Sequence, residues 1–84
     1  MIVHVKLFAV HRQLMGKREV ELEVPEGATI ADVWQTLKTL YPQMSHLSDG
    51  VLAALNQDYA PLSAPVKAGD EVAFIPPVSG GAYV

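Results

Sequence analysis

The sequence predicts an α+β domain in which one main helix packs across a mixed β-sheet. Apolar and polar residues alternate near both ends of the 84-residue chain, which is the period of a β-strand. In the middle of the chain the apolar residues recur at helical spacing instead. Half of the residues are hydrophobic and none is cysteine, so we expect one small domain held together by its core.

The first strand is predicted over residues 2–9, because Val3, Val5 and Leu7 alternate with their neighbours along one face. This alternation leaves Phe8 on the opposite, outward face. The simplest interpretation is that Phe8 packs under a loop or the following turn. Single exposed aromatic residues are also common enough to need no functional explanation.

The remaining elements are bounded by capping and turn residues. Thr29 and Asp32 match a capping box at the start of the main helix, and Pro42 stops it. Trp34 lies on the flank of the helical stripe, so we expect it at the edge of the core. In chain order we predict a helical turn closed by glycine over residues 11–16, a strand over 17–24, the main helix over 30–41, a strand over 51–55, a short edge strand over 59–62 and a last strand over 71–75.

The order of these elements predicts a topology. The two opening strands form a hairpin, the helix crosses one face of the sheet, and the right-handed crossover rule brings the last strand beside the first. This arrangement is an α+β roll of the ubiquitin-like β-grasp kind.

The composition argues against several classes of function. The net charge is -3, whereas a nucleic-acid-binding protein normally carries a basic stripe. No segment approaches the apolar length of a membrane span, and three scattered histidines without cysteine do not have the spacing of a zinc site. We therefore expect a cytoplasmic protein that binds neither nucleic acid nor membrane and holds no metal or bound cofactor.

Catalytic motifs are not apparent in the sequence. The segment from Ser45 and His46 to Asp49 contains the residue types of a triad, but a short polar loop in so small a domain offers no pocket to order them. We expect no active site in the domain itself.

The C-terminal end is the most distinctive stretch. Pro76 and Pro77 end the last strand, and a Gly80-Gly81 pair follows in a segment that is too poor in apolar side chains to form a core. We divide the chain into a domain over residues 1–77 and a flexible tail over residues 78–84. The tail can enter a narrow channel because its glycines lack a Cβ atom.

A partner-binding patch is predicted beside the root of this tail. If the first and last strands are neighbours, Phe8, Ala73 and Ile75 share the outward face of the sheet, and an exposed apolar patch marks a partner site. Alternatively, the protein's own loops cover this face. The row of Glu19, Glu21 and Glu23 is a solvated face, or alternatively an acidic docking site.

These motifs resemble the MoaD/ThiS family of β-grasp sulfur carriers over essentially the whole chain. The opening Leu7-Phe8-Ala9, the middle segment 52–57 and above all the C-terminal segment 69–81 carry the resemblance. The Phe-x-Pro-Pro-Val-x-Gly-Gly pattern favours the molybdopterin synthase branch of the family over the thiamin branch.

The resemblance implies a sulfur-donating subunit rather than an enzyme with its own site. It implies that a MoeB-like enzyme adenylates the terminal glycine with ATP, that a thiocarboxylate forms there, and that the loaded tail enters a MoaE-like large subunit. Sulfur then passes to cyclic pyranopterin monophosphate in molybdenum cofactor biosynthesis. Matched by motif, Gly81 is the acyl site, Gly80 is the second residue of the glycine thread, and the candidate partner contacts are Phe8, Arg12, Ile75, Pro76 and Val78.

The sequence departs from the family at its end, because Ala82-Tyr83-Val84 follows the second glycine. The carbonyl of Gly81 is therefore an amide, which cannot be adenylated, and we expect a protease to remove residues 82–84. Two other functions stay open: a β-grasp protein modifier or binding module that keeps these residues, and a carrier for another sulfur pathway such as that of thiamin.

Overall fold

The structure, a computed structural model, describes residues 1–76 of the chain. The Gly80-Gly81 pair, Val78 and the rest of the predicted tail lie outside the described residues, so the predicted division between domain and tail stays a prediction. The helices and strands are β1 (Ile2–Leu7), α1 (Ala9–Met15), β2 (Glu19–Glu23), α2 (Ile30–Leu40), a 3₁₀ turn (Pro42–Met44), β3 (Leu52–Leu55), β4 (Asp58–Tyr59) and β5 (Glu71–Ile75).

The five strands form one mixed sheet in the order β2-β1-β5-β3-β4. Strand β1 pairs antiparallel with β2 and parallel with β5, and β3 pairs antiparallel with both β5 and β4. The first and last strands are therefore neighbours at the centre of the sheet, as predicted, and the topology is that of the β-grasp fold.

Strand alternation decides which side chains form the core. In β1 the side chains of Val3, Val5 and Leu7 are buried, and in β5 those of Val72 and Phe74 are buried beside them. Helix α2 covers this inner face with four buried residues on its apolar stripe, namely Ile30, Val33, Trp34 and Leu37. Burying an aliphatic or aromatic side chain contributes about 1.5 to 3 kcal/mol, so this layer supplies most of the stability.

Helix α2 begins with the predicted capping box. The Asp32 backbone N–H donates to Thr29 Oγ1 over 3.3 Å, and the Thr29 N–H donates to Asp32 Oδ2 over 2.9 Å. Two backbone donors of the first turn are thereby satisfied, which is worth about 1 kcal/mol. The helix ends at Leu40, two residues before Pro42, as the sequence predicts.

Trp34 corrects one prediction, because it lies inside the core and not at its edge. Only 1% of the residue is exposed. Its ring packs between His11 and Phe74, with centroid distances of 5.2 and 4.9 Å. The loop after the 3₁₀ turn closes over the helix, and the Trp34 Nε1–H donates to Asp49 Oδ1 over 3.0 Å.

Asp49 holds this loop on helix α2. Its Oδ1 atom also accepts hydrogen bonds from Gln35 Nε2 at 2.9 Å and Lys38 Nζ at 3.0 Å. These donors, with that of Lys38 first, lower the pKa of the Asp49 carboxyl. The Asp49 carboxylate accepts these hydrogen bonds from side chains of helix α2 and none from His46. Ser45, His46 and Asp49 therefore do not constitute a catalytic triad.

The short elements differ from their predicted bounds. The predicted turn over residues 11–16 is a helix that begins earlier, at Ala9, and ends at Gly16 with φ of 70°, in the left-handed region that glycine favours. The predicted edge strand over residues 59–62 is wrong in position, since β4 is Asp58–Tyr59. A two-residue loop of Asn56 and Gln57 sets that register.

Candidate docking surface

The outer face of the sheet carries a shallow depression of about 320 Å³ next to the end of β5. Its apolar lining comes from four elements of the chain, and we call these residues the outer patch: Phe8, Ala54, Tyr59, Ala73 and Ile75. Lys6, Gln57 and Glu71 form its polar rim. The predicted juxtaposition of Phe8, Ala73 and Ile75 is therefore present in the structure.

Sheet register explains why these side chains meet. Ala73 of β5 pairs with Lys6 of β1 on one side and with Ala54 of β3 on the other, and Ala54 pairs in turn with Tyr59 of β4. Paired residues in adjacent strands point to the same face of a sheet. One row across four strands thus places small alanines between larger side chains, which makes the face concave.

Exposure within the outer patch is uneven. Tyr59 is 80% exposed and Phe8 is 44% exposed, whereas Ala73 is only 8% exposed because its neighbours cover it. Leu52, which pairs with Ile75 on the same face, is 51% exposed. The described loops leave these large apolar side chains accessible, so the alternative in which loops cover this face is wrong for residues 1–76.

Phe8 occupies a position where local stability favours a different residue. It is the N-cap of α1, with extended backbone and no side-chain hydrogen bond to the helix, although Ser, Thr, Asp and Asn are preferred there. The next residue, Ala9, has φ of 49°, which costs a residue with a Cβ atom about 1 kcal/mol or more. Unfavourable local choices of this kind concentrate at functional sites.

Arg12 lies in a second depression that adjoins the outer patch. This depression, of about 450 Å³, is lined by Lys6, Leu7, Phe8, Arg12, Arg18 and Glu19, and we call it the cationic notch. Phe8 and Lys6 line both depressions. Ile75 and Pro76 are half-buried and continue β5 towards the predicted tail.

His11 links α1 to the strand that leads to the tail, and the sequence analysis assigned it no role. It is buried, and its Nδ1 atom is 3.3 Å from the Phe74 carbonyl oxygen. Burial lowers the pKa of the His11 imidazole, and the contact with the Phe74 carbonyl opposes this in part. Burial therefore favours the neutral imidazole, and the contact with the Phe74 carbonyl fixes α1 against β5.

Sequence reasoning also missed Leu52, Tyr59 and Arg18 as members of this surface. The alternation of β3 was sufficient to place Leu52 and Ala54 outward. The exposure of Tyr59 depends on the two-residue loop before it. The position of Arg18 in the same depression as Arg12 depends on how α1 packs, so no local pattern in the sequence predicts either feature.

Among residues 1–76 no group of three His, Asp or Glu side chains could hold a metal ion. Neither helix in that part of the chain is long and apolar enough to cross a membrane.

Comparison with known proteins identifies the family. The family model described as the ThiS family matches residues 5–81, which is most of the chain, so the chain belongs to this family of β-grasp proteins. Its relatives include the molybdopterin synthase sulfur carrier subunit of Arabidopsis thaliana, which is 38% identical, with 94% of this chain and 82% of the relative covered. The subunit of the same name from Haemophilus influenzae is 39% identical, with 95% of this chain and all of the relative covered.

A solved structure agrees with the fold. The crystal structure of small archaeal modifier protein 1 from Haloferax volcanii superposes with a TM-score of 0.80 at 30% sequence identity, covering 92% of this chain and 98% of that chain. Similar proteins thus include sulfur carrier subunits and a protein named as a modifier.

Proposed function

We propose that this chain is the sulfur carrier subunit of a molybdopterin synthase type complex, and that Gly81 bears the sulfur. The observation that carries the proposal is the position of the outer patch. Two of its residues, Ala73 and Ile75, lie on β5, and the segment Pro76-Pro77-Val78-Ser79-Gly80-Gly81 follows this strand directly in the sequence. In this arrangement the folded domain supplies the affinity for the partner. The glycine thread reaches into the partner and supplies the reacting group.

The relatives support the pathway. Sulfur carrier subunits of molybdopterin synthase are 38% and 39% identical to this chain over most of its length. Their name as subunits supports a large-subunit partner of the MoaE kind. We propose cyclic pyranopterin monophosphate as the sulfur acceptor, which is what the family resemblance implies.

The chemistry needs a free carboxylate on Gly81. In the proposed sequence a MoeB-like enzyme lets this carboxylate attack the α-phosphate of ATP, which releases pyrophosphate and forms an acyl-adenylate. A sulfur nucleophile then displaces AMP and leaves a thiocarboxylate. A chain without cysteine can carry sulfur in this way, because the sulfur sits on the terminal carbonyl carbon.

Gly81 is followed by Ala82, so its carbonyl is part of a peptide bond. We propose that a protease removes residues 82–84 before activation. Intact mass tests this step: the full chain and a chain ending at Gly81 are each incubated with the activating enzyme, ATP and a sulfur donor. We expect the shorter chain to exchange one oxygen for sulfur and the full chain to do so only after exposure to a host extract.

A full chain that accumulates thiocarboxylate on Val84 would contradict the processing step. Restoration of molybdoenzyme activity by the Gly81-terminated chain in a host lacking its carrier tests the pathway. Failure of that rescue, with efficient thiocarboxylation, would place the carrier in another sulfur pathway such as that of thiamin.

A protein modifier is the second candidate function. The similarity to small archaeal modifier protein 1 favours it, because a β-grasp body with a Gly-Gly thread also suits attachment to lysine. Isopeptide adducts of Gly81 on host proteins, found by mass spectrometry, would support the modifier. Binding to a MoaE-like subunit without adducts supports the carrier.

A further inference from the structure

The basic residues of this acidic chain are concentrated at one end of the sheet. The chain has six lysines and arginines against nine acidic residues, and four of the six lie between positions 6 and 18: Lys6, Arg12, Lys17 and Arg18. Three of these four line the cationic notch. A local excess of positive charge on a protein of net charge -3 is unexpected from composition.

Arg12 and Arg18 are not neutralised within the part of the chain that the structure describes. Lys6 pairs with Glu71 over 3.3 Å, whereas neither arginine forms an ion pair with any of residues 1–76, although Glu19 also lines the notch. Two guanidinium groups therefore face solvent in one concave site.

The backbone under both arginines is ordered by hydrogen bonds. The Arg18 carbonyl accepts from the Leu7 N–H over 2.8 Å, which extends the β1–β2 ladder by one residue. The Arg12 carbonyl accepts from the Gly16 N–H over 2.9 Å at the end of α1. Both arginines are therefore anchored on ordered backbone, so an anion that binds them has only their side chains to order.

The notch and the outer patch share Phe8 and Lys6, so a protein that covers the patch also covers the adjoining part of the notch. Removing a guanidinium from water without a counter-charge is strongly unfavourable. A partner that docks on the patch must therefore bring an anion to the notch, and a carboxylate accepts two parallel hydrogen bonds from the arginine fork.

From this geometry we infer that the cationic notch binds an acidic side chain of the partner protein that covers the outer patch. The inference rests on the proposed carrier function and adds the chemistry that the partner must present: an apolar group for the patch and a carboxylate for Arg12 and Arg18. Charges at the edge of an interface chiefly accelerate association and select the partner.

Binding of the full chain to a purified MoaE-like large subunit, measured as association and dissociation rates at two salt concentrations, tests the inference. At low ionic strength we expect Arg12→Glu and Arg18→Glu each to weaken binding about tenfold, mainly through slower association. The loss should shrink at high salt, because screening reduces the attraction in the wild type. Arg12→Gln, which keeps helix propensity, should weaken binding roughly threefold.

The matched control is Lys67→Glu, which makes the same change in net charge at the opposite end of β5. Gly69 bonds to Ile2 at the start of β1, and the notch begins at Lys6, roughly 13 Å farther along that strand at about 3.3 Å per residue. This exceeds the screening length of about 10 Å at 0.1 M salt. It should change binding less than twofold. Thermal unfolding of each variant checks that the fold is kept.

Arg12→Glu and Arg18→Glu variants that bind as well as Lys67→Glu would overturn the inference. Inorganic phosphate that binds the notch, with partner affinity unaffected by the same variants, would also overturn it in favour of a small anion. Failure of both the full chain and the Gly81-terminated chain to bind the large subunit is a different outcome, which refutes the proposed function itself. A partner carboxylate changed to lysine should restore binding to Arg18→Glu.

Discussion

At the scale of single residues, Phe8 and Phe74 have opposite roles although they lie close to each other. Leu7 pairs with Phe74 across β1 and β5, so Phe8 follows a buried position directly and turns to the other face. Phe74 is fully buried against Trp34, whereas Phe8 is exposed at an N-cap that it cannot satisfy. Phe74 therefore contributes to stability, and Phe8 is available to a partner.

We therefore expect Phe8→Asp and Phe74→Asp to differ sharply. Aspartate is a favourable N-cap, worth about 1 kcal/mol, so Phe8→Asp should stay within about 1 kcal/mol of wild-type stability while losing partner binding. Phe74→Asp buries an unpaired charge and should cost more than about 4 kcal/mol, enough to unfold a small domain.

Thermal unfolding of the two variants, with Ile75→Asp as a half-buried comparison, checks this assignment. Ile75→Asp should remain folded and weaken partner binding, since Ile75 belongs to the outer patch. Equal stability of all three variants would refute the facing of β5.

At the scale of secondary-structure elements, the turn of the β3–β4 hairpin contains one residue that suits its backbone conformation and one that does not. Its two loop residues, Asn56 and Gln57, both have positive φ, 50° and 75°, which is the pattern of a type I′ turn. Asn56 suits this conformation, and its side chain also bonds to Asp70 and Glu71. Gln57 carries a Cβ atom in a conformation that glycine adopts more easily.

Replacement of Gln57 by glycine should raise the free energy of unfolding by about 0.5 to 1 kcal/mol, because the relief of left-handed strain exceeds the added entropy of the unfolded chain. Gln57→Ala is the matched control, since it removes the same side chain but keeps the Cβ atom. Chemical denaturation measures both. A Gln57→Gly variant no more stable than Gln57→Ala would contradict the strain at this turn.

At the scale of the whole molecule, His11 lies where α1, α2 and the sheet meet. Its ring packs on Trp34 of α2 and its Nδ1 faces the carbonyl of Phe74 in β5. Burial lowers the pKa of the imidazole below its ordinary value of 6.5. Protonation must therefore work against the packing that positions α1 beside the outer patch.

The sign of the pH dependence follows from this lowered pKa. The neutral form is favoured in the folded state, so the stabilising contribution is fully present above pH 6.5. It is lost as the pH falls from there through the lower folded-state pKa, because the unfolded chain takes up the proton first.

Denaturation measured between pH 5 and pH 8 tests this prediction. We expect the wild type to lose stability below about pH 6.5 and His11→Gln, though less stable throughout, to show a weaker dependence. His46→Gln is the control, because His46 is exposed in the loop before β3 and should keep the wild-type profile. An unchanged pH profile in His11→Gln would refute the role of His11.

The amino-acid sequence was sufficient for most of the fold. Alternation in β1, β2 and β5, the capping box at Thr29 and the stop at Pro42 are local signals, since each depends on neighbours along the chain. The bounds of α1 and β4 were predicted less well. Short elements contain too few turns or pairs for periodicity to fix their ends.

The sequence by itself also determined the family pattern and the proposal of Gly81 as the acyl site, because the Phe-x-Pro-Pro-Val-x-Gly-Gly segment and the absence of cysteine are properties of the chain alone. Only the tertiary structure decided the burial of Trp34, the neutral His11 and the meeting of Arg12 with Arg18 beside the outer patch. Trp34 and His11 contact residues far apart in sequence, and Arg12 and Arg18 are separated by the end of α1, so all of these features depend on how α1 and the loops pack onto the sheet.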